Sequence, residues 1–270
     1  MMQLASDVKR HIHYYNAKNK AKLMAWAAYR ADLLMATLGA YGYTFMTVIF
    51  INVLFQNIDS IAGWKEYEIL LLLGVGQIVF YLQSGFFGTV DWRISEYIAD
   101  GELDLFLLKP VNTLFNIVTY NFKVFEMLPS FMLAVSIFFY ALIKGNYYPS
   151  FLLLFLAGVF TLLGAILVML IKLDISLLSF WLTDTRDIRR IYFHVFDLFK
   201  YPLEIYPNSA RFAFTTIIPV GLIAYFPAHL IIKGFHLTLF AYYLGSLAFF
   251  AVLAAIFWKK GLKAYSSASS

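Results

Sequence analysis

The stretch Leu33–Phe55, LLMATLGAYGYTFMTVIFINVLF, contains 23 residues and no charged side chain. As an α-helix it would be about 35 Å long, which is enough to cross a hydrocarbon core about 30 Å thick. Comparable uninterrupted runs follow at Ile69–Val90, Met127–Ile143, Gly145–Ile171, Phe212–Ile232 and Gly234–Trp258. The sequence therefore predicts an all-α, polytopic membrane protein.

The composition agrees with a chain that is solvated by lipid. Hydrophobic residues make up 61% of it and charged residues only 14%, against about 25% charged in soluble domains. The 28 Phe and 19 Tyr suit aromatic belts at the two membrane interfaces. The absence of cysteine excludes disulfides and thiolate-bound metals. The first apolar run is too long for a signal peptide and begins after 32 residues rich in polar side chains, so we expect it to be a retained span.

Basic residues flank the apolar region on both sides and predict its orientation. Those before the first span are Lys9, Arg10, Lys18, Lys20, Lys22 and Arg30, and those after the last span are Lys259, Lys260 and Lys263. By the positive-inside rule both termini are cytoplasmic, which requires an even number of crossings. We predict six, in a cell membrane and most simply a bacterial inner membrane. Basic residues in this position contact anionic lipid, so nucleic acid is not an expected partner.

The domain boundaries follow from these runs. Residues 1–32 form a cytoplasmic connecting region in which residues 8–30 read as an amphipathic interfacial helix. Residues 33–258 form the six-span membrane domain, and residues 259–270 a cytoplasmic tail. The fourth span either stops at Ile171 or continues past Lys172 and Asp174 towards Thr183.

The fifth span is the weakest prediction. It would run from Ile191 to about Tyr206, and the charged residues Asp197 and Lys200 interrupt it. Residues 207–232 are apolar but are broken by two prolines. A full crossing there would place the C-terminus outside, so we predict an outer re-entrant hairpin surrounded by protein.

The largest hydrophilic interruption lies between spans two and three, at residues 91–111. Within it Ile94, Tyr97 and Ile98 have the i, i+3, i+4 spacing of one apolar helix face. Gly101 is placed to end that helix. The segment is either an interfacial helix that joins two spans or a docking element for a cytoplasmic protein, because an exposed apolar face requires lipid or a partner.

The same interruption contains the segment Gly101-x-Leu103-Asp104-x-x-Leu107-x-Lys109-Pro110. This segment is similar to the G-x-L-D-x-x-L-x-[KR]-P signature of the ABC-2-type transporter permeases, in their six-span branch. Four further motifs follow in the expected order: Phe180-Trp181, Pro202-Leu203-x-Ile205-Tyr206-Pro207, Ile218-Pro219 with Tyr225-Phe226-Pro227-Ala228, and Trp258-x-x-Gly261-Leu262-x-x-Tyr265.

The resemblance implies a permease subunit of an ATP-driven exporter that carries an amphipathic or lipid-like substrate. It implies as partners two ATP-binding subunits, which hold the ATP and Mg, and a second permease copy or close paralogue. Residues 91–108 would be the coupling helix, residues 8–30 the connecting helix and residues 207–232 the outer cap. The ATPase-coupling residues would be Ile94, Tyr97, Ile98, Gly101, Glu102, Leu103, Asp104, Phe106 and Lys109.

This chain has no G-x-x-x-x-G-K-[ST] motif of its own and is not expected to be an enzyme or to hold a cofactor. The alternative function is an ATP-independent channel or secondary carrier, although no internal repeat favours a carrier.

The remaining polar residues allow several interpretations. His11-x-His13 lacks further ligands for a metal, so a surface role is expected. The histidines at 194, 229 and 236 have no nucleophile or acid at catalytic spacing. Lys123 with Glu126, and Asp197 with Lys200, each fit an i, i+3 ion pair. Both pairs are either structural or part of a pathway.

Overall fold

The computed structural model describes residues 30–91, 93–120, 123–182 and 185–265. The α-helices in those ranges are α1 (Arg30–Phe55), α2 (Glu66–Phe87), α3 (Arg93–Ala99), α4 (Asp104–Leu107), α5 (Thr113–Val118), α6 (Val124–Lys144), α7 (Phe151–Leu177), α8 (Arg186–Phe196), α9 (Asn208–Phe212), α10 (Val220–Ile232) and α11 (Leu237–Ala264). The amphipathic helix predicted for residues 8–30 falls outside these ranges except for Arg30, as do His11 and His13.

Five of these helices are long and apolar enough to cross a membrane: α1, α2, α6, α7 and α11. They coincide with five of the charge-free runs, which confirms a multi-pass helical protein. A sixth candidate consists of Asn208–Ile217 and Val220–Ile232, two helical pieces that meet at 94°. The open question about the fourth span is also answered. Helix α7 continues through Lys172 and Asp174 to Leu177 and then into the 3₁₀ turn Leu178–Phe180.

The predicted fifth span is wrong as a continuous helix. Helix α8 ends at Phe196, and the 3₁₀ turns Asp197–Lys200 and Leu203–Ile205 replace it. The physical reason is Pro202, which lacks a backbone N–H and disfavours helical backbone in the residue before it. We call residues 186–200, which comprise helix α8 and the 3₁₀ turn after it, the α8 segment. Its Phe199 reaches Gly76 on α2.

Helix α2 is the centre of the fold. It packs against α6, α7 and α10, and 78% of its most apolar stretch is buried. Small residues make the close approaches possible. A Cβ on Gly74 would lie 3.0 Å from the backbone nitrogen of Phe138 on α6, and a Cβ on Gly76 would overlap the ring of Phe199. Helix α10 is buried along nearly its whole length, as expected for backbone that protein surrounds at membrane depth.

Besides the main hydrophobic core around α2, a second, smaller hydrophobic cluster lies at one end of the bundle. It joins α3, α4 and α5 to the ends of α7 and α11. The hydroxyl of Ser176 on α7 donates to the carbonyl oxygen of Val90 at 2.9 Å and ties the loop after α2 to this end. Arg189, near the start of α8, donates to Ser95 on α3, so the hydrophilic interruption and the start of α8 lie at the same end of the molecule.

Candidate coupling segment and membrane cavity

Helix α3 is fixed by its apolar face to its own chain. Ile94, Tyr97 and Ile98 are 1%, 6% and 7% exposed within the second cluster. Burial raises the pKa of the Tyr97 hydroxyl. The docking interpretation of this face needs a correction, because the surface that the spacing predicted is already covered by residues of the same chain. These three residues hold the segment in place.

Gly101 ends the helix as predicted. Its φ of +75° is a left-handed conformation that favours glycine. The turn lets the N–H of Leu103 donate to the carbonyl oxygen of Tyr97 at 2.9 Å. Leu103 is then completely buried, and Phe106 lies with its ring centroid 4.7 Å from that of Tyr97. Leu103 and Phe106, which the resemblance implied as ATPase-coupling residues, are thus also covered by this chain.

Lys109 also stabilises this turn. Its Nζ lies 4.8 Å from the ring centroid of Phe106 and 5.6 Å from that of Tyr120. A cation over aromatic faces at this distance is a stabilising arrangement. Lys109 therefore connects Phe106 on α4 with Tyr120, which lies in the stretch that leads to α6.

The exposed side of the segment has a different composition. Leu105, Leu107 and Leu108 are 61%, 42% and 82% exposed, and Glu102 is exposed beside them. No described residue covers these leucines. We call the set Glu102, Leu105, Leu107 and Leu108 the leucine ridge.

Asp104 points towards the end of the chain rather than outward. It is half-buried, and its carboxylate contributes, after burial, to a raised pKa of the Tyr265 hydroxyl. Tyr265 in turn packs with Phe180, whose ring also faces Trp258 at 6.1 Å. A Cβ on Gly261 would lie 2.1 Å from a ring carbon of Phe180, so only glycine leaves room for that ring. Three motifs that are far apart in the sequence therefore meet in one cluster.

Two more motifs meet at the opposite end of the bundle. The hydroxyl of Tyr225 donates to Glu204 Oε1 at 2.7 Å, and Lys233 Nζ lies 3.4 Å from the same oxygen. Arg211 donates to three backbone carbonyl oxygens between residues 203 and 206, at 3.2 to 3.4 Å. Side chains thus join Glu204, which precedes the bent pair of helices, to Lys233, which follows it.

A cavity of about 470 Å³ lies between α1, α2, α6 and the α8 segment. Its walls are mostly apolar and aromatic, and the residues that line it include Tyr43, Gln77, Phe80, Tyr81, Met127, Ser130, Phe193, Phe196 and Phe199. Three charged side chains also contribute: Glu126, Asp197 and Lys200. Cavities of this size with a few polar groups are typical of small-molecule sites.

The predicted ion pairs are present beside this cavity. Lys123 Nζ lies 3.7 Å from Glu126, and Lys200 Nζ lies 3.3 Å from Asp197. Lys200 also donates to the hydroxyl of Tyr43 on α1. The first pair stands at the start of α6. The second joins the broken end of the α8 segment to α1, a role that the spacing alone did not reveal.

The sequence did not predict that two charged residues on α7, Lys172 and Asp174, are buried. Lys172 is 4% exposed, donates to Gln83 on α2 at 2.8 Å and lies 5.1 Å from the ring centroid of Phe193. Asp174 is equally buried. The available signal was a lysine and an aspartate inside an otherwise apolar run, which marks a residue that faces protein rather than lipid.

The fold defines a multi-pass helical membrane protein. The chain belongs to the ABC-2 family of transporter proteins, whose family model matches residues 41–269. A comparison with curated proteins gives no match. Family membership makes this a membrane transport component, and it confirms the resemblance drawn from the motifs.

Proposed function

We propose that this protein is the permease subunit of an ATP-driven exporter and that a separate ATPase binds at the leucine ridge. The observation that carries the proposal is three exposed leucines on a segment that its own chain holds rigidly. Exposed apolar side chains that are fixed in position are typical of a protein interface. Because this chain has no nucleotide-binding motif, an exporter that uses ATP would take its ATP and Mg²⁺ on a partner subunit.

The test is capture of the ATPase by the tagged permease, comparing the unmodified chain with the double variant Glu102→Lys, Leu108→Ser. Both residues are exposed, so the free energy of unfolding should change by less than about 0.5 kcal/mol. Loss of the interface should cost about 2–5 kcal/mol of binding, a reduction in captured ATPase of at least about tenfold. Full capture by this variant would show that the ridge is not the docking surface.

The choice of control follows from the structure. Glu66, the first residue of α2, is a suitable site. Among the described residues its side chain accepts one exposed hydrogen bond, from Asn52 at 3.1 Å, and Glu66→Lys should leave capture unchanged. Glu68 is unsuitable, because it is buried and accepts hydrogen bonds from Tyr147 and the Lys65 backbone. Asp104 is likewise a poor docking probe, since its reversal would disturb the contact with Tyr265.

The same proposal gives six crossings with both termini cytoplasmic. Glu204 and Lys233 lie 3.4 Å apart, so the stretch between them leaves and returns to one side, as a re-entrant hairpin does. The α8 segment then supplies the sixth crossing in broken form. Because the chain has no cysteine, the variant Ser209→Cys can be labelled alone. An impermeant thiol reagent should reach it from outside, and labelling only from the cytoplasm would refute the hairpin.

The cavity is the proposed site for the amphipathic substrate. Its aromatic walls would hold the apolar part of that molecule, and Lys200, Asp197 and Glu126 would meet the polar part. Helix α1, which forms one wall, is only sparsely covered by the described residues. A second permease copy or paralogue would close the cavity from that side, while membrane lipids cover the rest.

A further inference from the structure

Helix α8 makes contact with the coupling segment at its base. The guanidinium of Arg189 donates to the hydroxyl of Ser95 on α3. Ser95 is 6% exposed, so this contact lies under the segment and not on its solvent face. The two residues are 94 positions apart in the sequence, and no motif predicts their meeting.

The upper part of the same segment forms a wall of the cavity. Phe193, Phe196, Asp197, Phe199 and Lys200 all line it. Seven residues of α-helix separate Arg189 from Phe196, a distance of about 10 Å along the axis. The base of α8 thus rests on α3 while its other end faces the proposed substrate.

The segment is held firmly between these ends. Lys172 lies over the rings of Phe193 and Phe196, at 5.1 and 5.9 Å from their centroids. The rings of Phe196 and Phe80 are 6.3 Å apart, and Phe199 fills the space that Gly76 leaves on α2. Because the side chains along the segment are packed, a displacement of its base is transmitted along it rather than absorbed.

We infer that Arg189 is a positioning residue that passes movement of α3 through α8 to the wall of the membrane cavity. The inference rests on the proposed exporter function and adds to it a route that bypasses α2 and α6. When the partner displaces α3, Ser95 carries Arg189 with it, and α8 shifts Phe196, Phe199 and Lys200 against α1. The contact between Lys200 and Tyr43 is where that shift reaches α1.

The adjacent residue offers a matched control. Arg190 lies on the same turn of α8 but pairs with Asp187 at 3.1 Å on the exposed face. Arg189→Gln and Arg190→Gln remove the same charge from neighbouring positions. Only the first removes the contact with α3.

The experiment measures the position of α8 in the assembled complex. Spin labels are placed on Ile191→Cys of α8 and Leu162→Cys of α7, both more than half exposed, and labelled chains are diluted with unlabelled ones. Distances are recorded without nucleotide and after trapping with ATP and vanadate. We expect a shift of the distance distribution in the otherwise unmodified chain and in Arg190→Gln, and loss of that shift in Arg189→Gln and in Ser95→Ala.

Assembly and melting temperature of each variant separate positioning from folding. Arg189→Gln should match Arg190→Gln in both, and Arg189→Lys is the fallback if the glutamine variant fails to fold. The double variant Ser95→Ala, Arg189→Gln should lose no more of the distance shift than either single variant, since both substitutions remove the same contact. A full shift in folded Arg189→Gln, or a complex that traps nucleotide while α8 stays still, overturns the relay alone. A permease that captures no ATPase overturns the exporter proposal and the relay with it.

Discussion

Helices α1 and α2 have similar length and similar apolar character, yet they occupy opposite environments. In α2, 78% of the most apolar stretch is buried inside the protein, whereas in α1 the share is 11%. Glycine shows the same contrast. Gly74 and Gly76 on α2 admit Phe138 and Phe199, while a Cβ on Gly39 or Gly42 of α1 would meet no atom within 4 Å. Hydropathy therefore reports that a helix enters the membrane, and small residues at contacts report where it packs.

The contrast predicts its largest effect for a buried leucine. Leu72→Ala on α2 removes a side chain that is completely buried, so it should leave a cavity and cost about 2 kcal/mol. This value lies at the low end for soluble cores, because lipid is as apolar as leucine. Leu38→Ala on α1, where the side chain is 56% exposed, should change stability by less than about 0.5 kcal/mol. Equal losses in thermal unfolding of the purified variants would break the comparison.

A somewhat smaller effect is expected from enlarging glycines. Gly74→Leu would force α2 away from the backbone of Phe138, at a cost of about 1–3 kcal/mol. Gly42→Leu meets no neighbour among the described residues and gains helix propensity of up to about 1 kcal/mol. The melting temperatures of the two variants should therefore move in opposite directions. A stabilised Gly74 variant would contradict the close packing.

Polar bonds help to attach α1 to α2 and α6. Thr44 and Gln77 exchange hydrogen bonds at 3.2 and 3.4 Å, and the hydroxyl of Tyr41 donates to the carbonyl oxygen of Pro129 at 3.1 Å. Thr44→Val should cost about 0.6 kcal/mol, the average for such bonds between membrane helices. The control is Thr47→Val, since the Thr47 hydroxyl bonds only within its own helix, to Tyr43. The free energy of unfolding of both variants is measured by denaturant titration. Equal values for the two variants would mean that Thr44 does not anchor α1.

The smallest energetic change addresses what covers α1. Met46→Cys introduces the only thiol of the chain at a position that is 70% exposed, and stability should stay within about 0.5 kcal/mol. If a second copy covers this face, oxidation in membranes should yield a covalent dimer. Ile143→Cys on α6, 64% exposed, serves as the comparison site. If oxidation of the Met46→Cys variant yields only monomer, lipid and not a second copy covers this face of α1.

The five long spans could be predicted because each is a charge-free run of sufficient length. The break after Phe196 could not, because Asp197 and Lys200 lower the hydropathy of this stretch without showing where its helix ends. The burial of Ile94, Tyr97 and Ile98 was also beyond the sequence. Periodicity identifies an apolar face, but it does not tell whether the same chain or a partner covers it.

The pair formed by Phe180 and Gly261 has a consequence for synthesis of the protein. The segment that carries the leucine ridge is translated early, but Tyr265, which Asp104 faces, and Gly261, which receives Phe180, belong to the end of α11 or follow it directly. The second cluster is therefore complete only after α11 has been made. A ribosome that stalls before residue 258 would release a chain that already contains the leucine ridge but lacks the part of its support that α11 supplies. Partner binding that requires a firmly held ridge would thereby select fully translated permease over truncated chains.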